Sequence, residues 1–73
     1  MQIHASAAVR ETLQELAETI MILQREHDQL IPLVVEAPPH LRPLRMRQLK
    51  LIAKRLVAAR LEEAAFATIA KAA

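Results

Sequence analysis

The sequence predicts an all-α protein: an antiparallel two-helix hairpin with a coiled-coil-like seam, completing a four-helix bundle by dimerisation. Three observations predict it. Apolar residues fall at Val9, Leu13, Leu16, Ile20, Leu23, Leu30 and Val34, with His27 in the one polar place, in alternating steps of four and three. Such a stripe runs along one side of a helix. A second stripe follows at Leu49, Ile52, Leu56, Ala59, Glu63, Phe66, Ala70 and Ala73. Between the two lies Ala37-Pro38-Pro39-His40-Leu41-Arg42-Pro43, whose consecutive prolines cannot continue a helix.

Composition agrees. The 73 residues form one helical-hairpin domain, 1–73, and 53% of them are hydrophobic, mostly Ala and Leu. Glycine, Trp and Tyr are absent and Phe66 is the only aromatic, a balance that favours helix over sheet. A domain this short buries only about 60% of its unfolded surface. Without cysteine it has neither a disulfide nor a cysteine-based zinc site to compensate. Association with another chain is the remaining remedy. No apolar run approaches the roughly 20 residues of a membrane span. Met1-Gln-Ile-His-Ala-Ser lacks the layout of a signal peptide, so a cytoplasmic location is expected.

Helix 1 is expected from about Ala7, with Ser6 as its N-cap. Its outer face carries Glu11, Glu15, Glu18, Arg25 and Asp28, with acids in the first turns, where the helix dipole favours them. Pro32 leaves two readings open. Either the helix stops near residue 31, or it continues to about Glu36 with a kink, which keeps Val34 in phase. The connector spans 37–43. Pro43 suits the first position of helix 2, which runs to about Lys71.

With the turn centred near Pro39, residues whose numbers sum to about 79 face one another. Leu30 then meets Leu49, His27 meets Ile52, Leu23 meets Leu56 and Ile20 meets Ala59. Leu16 lies by Glu63, Leu13 by Phe66 and Val9 by Ala70. Val34 falls outside this pairing. One seam cannot use all the apolar surface, since Ala17, Met21, Ile22, Leu33 and Val35 lie off it in helix 1. Leu44, Leu51, Val57, Leu61, Ala65 and Ile69 lie off it in helix 2. Exposed patches of this kind mark partner sites, and Met21, Ile22, Leu51, Val57, Leu61 and Ile69 are the expected partner interface. The simplest partner is a second copy; the rival is another helical protein.

Charge is unevenly placed. Arg42, Arg45, Arg47, Lys50, Lys54, Arg55 and Arg60 form a basic run with no acid inside it. Arg47, Lys50 and Lys54 line one face, spaced to neutralise phosphates. The stretch Ile52-Ala-Lys-Arg-Leu-Val-Ala-Ala-Arg resembles the first half of a helix-turn-helix but lacks a turn glycine. The bland reading is a solvated face pairing with Glu26, Asp28 or a partner's acids. Folding the chain gathers seven basic residues and three acids near the turn, a net of +4. Three basic residues and five acids gather near the termini, a net of −2. A rod with opposite ends dimerises best head to tail.

His27 and Glu63 are the polar members of the two seams. His27 reads as a partly exposed histidine that helps fix register, with a mild pH sensor as the sharper alternative. Glu63 has Arg10, Arg60 or a partner's basic end within reach, or simply bends out of the bundle. No catalytic, cofactor-binding or metal-binding residues are expected. No HExxH or Glu-x-x-His pair is present, His4, His27 and His40 are far apart, and a glycine-free chain has no phosphate loop. The near absence of aromatic anchors weighs against a membrane surface, and no small-molecule substrate is expected. In outline the predicted hairpin looks like small bacterial hairpin proteins, such as the plasmid copy-control Rop type and the small chaperones of secretion needles. That likeness is one of shape and covers no motif. The expected function is non-enzymatic protein–protein interaction, as a small adaptor, assembly chaperone or regulatory subunit. The alternative is a nucleic-acid-binding regulator using Arg42, Arg45, Arg47, Lys50, Lys54 and Arg55.

Overall fold

A chain rich in alanine and leucine and free of glycine gives up little in becoming helical, and an apolar stripe decides where its helices pack. A computed structural model describes the backbone of residues 2–72 and the side chains of residues 7–72. It contains two helices, α1 (Gln2–Val35) and α2 (Arg42–Ala72), packed on each other as a hairpin. The molecule is a rod of 58 × 14 × 12 Å.

Helix α1 includes residues 2–6, so Ser6 lies within the helix and not at its cap; the Ser6 side chain is outside the described residues. The alanine-rich start, Ala5-Ser-Ala-Ala, offers nothing to stop the helix there. The acids are displaced from the dipole as well. With the start at Gln2, the first turn of α1 holds no acid, so Glu11 and Glu15 sit too far along to meet it.

Pro32 does not end α1. The proline deprives the Asp28 carbonyl of its donor, yet the Pro32 carbonyl accepts from the Glu36 N–H at 2.9 Å, so the ladder resumes. Val34 therefore stays in phase with the stripe, and it is buried. It belongs to the seam and not beyond it. The turn helps to cover it: the Ala37 N–H donates back to the Val34 carbonyl at 3.3 Å, and Ala37 is buried as well.

The turn is tight. The Pro38 carbonyl accepts from the Leu41 N–H at 2.9 Å and the Arg42 N–H at 3.0 Å. The Leu41 carbonyl then accepts from Arg45, opening α2 one residue before Pro43. Pro43 still lies in the first turn, where a missing N–H costs nothing.

The seam is where the periodicity puts it. From Val9 to Leu30 every stripe position of α1 is partly covered, and Val34 is buried. In α2, Leu56 and Ala59 are buried, and Leu49, Ile52, Glu63, Phe66 and Ala70 are partly covered. Ala73 lies outside the described residues. Leu30 lines one groove with Gln48, Leu51 and Ile52, at the height that the sum of 79 assigns it. Gln24 accepts from the Arg60 guanidinium across the helices at 2.7 Å, and each follows a seam residue, Leu23 and Ala59. The interface is shallow: among the described residues only Val34, Ala37, Leu56 and Ala59 are buried, and no side chain is fully enclosed.

Candidate interaction site

An α-helix has one seam's worth of surface to give to a single neighbour, so apolar residues at other positions of a hairpin are left outside. Met21, Ile22, Leu51, Val57, Leu61 and Ile69 are each more than half exposed, from 51% at Ile69 to 67% at Leu61. Ile31, Leu33, Val35, Leu44 and Met46 are also exposed; Ile31 and Met46 do not stand out in the sequence because they abut the seam on its flanks. The whole chain exposes 5759 Å². A compact monomer of 8.2 kDa would expose about 4,500 Å². Its radius of gyration is 16.7 Å, against about 11 Å for a compact chain of this length.

The apolar surface lies on two flanks of the hairpin. The Gln24–Arg60 bond marks the first, together with Met21 and Val57. A groove of about 700 Å³ runs here beside Met21, Arg25, Asp28 and Pro32, with Arg60 at its edge. The second flank carries Leu44, Leu51, Ala58, Ala65 and Ile69 on α2 and Ile22 on α1, all exposed.

The six basic candidates divide in two. Arg42 donates to the Ala37 carbonyl at 3.3 Å and fastens the turn. Arg45 continues the α2 seam four residues before Leu49, is partly covered, and donates to Gln48 Oε1 at 3.2 Å. Arg47, Lys50, Lys54 and Arg55 are exposed and make no side-chain hydrogen bond or ion pair among the described residues. The expected pairing of this face with Glu26 or Asp28 does not occur. Asp28 faces its own helix: Gln24 donates to it at 3.0 Å, and His27 Nδ1 lies 3.3 Å from the same oxygen.

Those two contacts hold the Asp28 carboxyl below its ordinary value, the His27 hydrogen bond contributing most and Gln24 next. The His27 side chain is 26% exposed and that of Asp28 61%, so the carboxylate is largely in water while the imidazole is mostly covered. Glu63 is partly covered at its seam position and forms no ion pair among the described residues, Arg10 and Arg60 included; Arg60 turns to Gln24 instead. Neither His27 nor Glu63 is buried, and His40 is exposed in the turn. Among the described residues no three His, Cys, Asp or Glu side chains lie close enough to hold a metal ion. No described helix is long and apolar enough to cross a membrane.

Comparisons of the chain with protein-family models, with curated proteins and with solved structures gave no match.

Proposed function

We propose that the protein is a non-enzymatic interaction module, a small adaptor, assembly chaperone or regulatory subunit, that docks its exposed apolar helix faces onto another helical surface. The observation that supports this is the surplus of accessible area, about 1,200 Å² over a compact chain of the same mass, placed where large apolar side chains stand more than half exposed. A standard interface covers about 800 Å² on each partner, so the surplus is of the size one docking event removes. Docking of this kind is driven by apolar burial and resists salt. Raising sodium chloride from about 0.1 to 1 M should leave association intact. Leu51→Glu should abolish it by placing a charge in a desolvated contact. Association that dissolves in salt and ignores Leu51→Glu counts against this reading.

A second reading rests on a separate observation, the four exposed cations Arg47, Lys50, Lys54 and Arg55, unpaired among the described residues. Under it the turn half of α2 neutralises nucleic-acid phosphates. Neutralising any one of these cations should then make the slope of log K against log salt shallower by roughly one. Arg47→Glu with Lys50→Glu should remove binding to a duplex probe in a gel-shift titration. Duplex binding that neither salt nor this double variant alters sinks the second reading.

A further inference from the structure

We propose that the occupant of the second flank is another copy of this chain, packed head to tail about a two-fold axis near Ala58. This rests on the interaction reading above and names its partner. The flank has a repeat of its own. Leu44, Leu51, Ala58, Ala65 and Ala72 recur every seven residues on α2, clear of the hairpin seam, and all are exposed. A strict seven-residue repeat is the mark of a helix that packs lengthwise against another helix.

Two features of the stripe select the direction of the partner. The first is size. Leucines occupy the half near the turn and alanines the half near the terminus. Parallel copies would set leucine on leucine at one end and alanine on alanine at the other, a wedge that cannot close along its length. Antiparallel copies set Leu44 and Leu51 of one chain against the Ala65–Ala72 segment of the other, large on small at both ends, with Ala58 on Ala58 at the axis.

The second is charge. Arg55 lies three residues before Ala58 and Glu62 four residues after it, on the same edge of the stripe. Both are exposed and neither has an ion-pair partner among the described residues. Antiparallel packing brings Arg55 beside the Glu62 of the second copy, and two-fold symmetry makes the contact twice. Parallel packing sets that edge against the opposite edge of the second copy, where Arg55 meets Lys54 at the same height, like charge on like. The same holds for the whole rod: its turn half carries +4 and its terminal half −2, so only the head-to-tail arrangement lays opposite charges together. Ile22, exposed on the same flank of α1 at nearly the height of Ala58, adds apolar surface close to the axis.

The chain has no cysteine, so introduced thiols are the only ones present. Residues 51 and 65 of one helix are about 21 Å apart, too far for a disulfide within the chain. The experiment mixes the full-length Leu51→Cys and Ala65→Cys proteins under mild oxidation and reads covalent dimers by mass. The expected result is a mixed dimer joined 51 to 65, while each variant alone stays uncrosslinked. Alongside it, Arg55→Glu alone should weaken self-association about tenfold, and Arg55→Glu with Glu62→Arg should restore it. Rapid crosslinking of Leu51→Cys with itself overturns the arrangement in favour of a parallel one. A chain that never self-associates, yet folds only with a different protein, overturns the second copy and leaves the interaction reading standing. A stable, folded monomer overturns both.

Discussion

Asp28 shows how little of this molecule's polarity is spent on holding the hairpin together. Its two contacts, from His27 and Gln24, lie on its own helix. Because they favour the charged carboxylate, its folded-state pKa lies below the unfolded one, which is near 4. The contribution is therefore present above about pH 4 and fades as pH falls through the lowered value. Asp28→Asn should flatten the acid limb of a stability–pH curve, measured by urea melts between about pH 2 and 7, by losing a small increment of stability in the neutral range and none at the acid end. The effect is small, since the group is exposed and screened. His27 stands in an apolar stripe with about three quarters of its side chain covered. His27→Leu should raise stability at pH 7 by about 1 kcal/mol, through added apolar burial. It should also remove the larger of the two contacts on Asp28, moving that carboxyl back toward its ordinary value. A His27→Leu protein less stable than the wild type would mean that the histidine does more than occupy the seam.

At the scale of the elements, one periodicity governs the hairpin and local chemistry governs its ends. Leu56 is the one large side chain of α2 that is buried. Leu56→Ala should cost about 2–3 kcal/mol by thermal or urea melting, whereas Leu61→Ala, on the outer surface, should stay within about 0.5 kcal/mol in the isolated hairpin. Pro32 sits inside α1 and is exposed, so Pro32→Ala should return a donor to the Asp28 carbonyl and stabilise the helix by up to about 3 kcal/mol. The seam from Val9 to Leu30 and its complement from Leu49 to Ala70 are legible in the sequence, because steps of four and three admit one face only. The ends are less so. Ser6 has the chemistry of a cap, but capping is optional where the preceding residues are themselves good helix formers, so the helix passes through it. Val34 looks stranded beyond Pro32 in the sequence. It is kept by a hydrogen bond from Glu36 to the Pro32 carbonyl and by Ala37 folding back, which are backbone events that side-chain patterning does not encode.

For the whole molecule, the balance of surface is decisive. An unfolded chain of this mass exposes about 11,900 Å², and the hairpin still exposes 5759 Å² of it, so only about half is covered. The exposed apolar residues other than Ile31 and Met46 are legible as positions off the seam. The fate of the basic run is not, because reach and hydrogen bonding, not spacing, draw Arg42 to Ala37 and Arg45 to Gln48. What remains is a rod with a thin core and two apolar flanks, and the proposed docking would supply the missing burial. The most direct test is sedimentation equilibrium of the purified chain, paired with helicity by circular dichroism, over a hundredfold range of concentration, for the wild type and Leu51→Glu. Wild-type helicity and assembly should rise together with concentration and survive high salt, and Leu51→Glu should lose both. A fully helical, thermally stable 8.2 kDa monomer at every concentration, unchanged by Leu51→Glu, would contradict docking as the source of the missing burial.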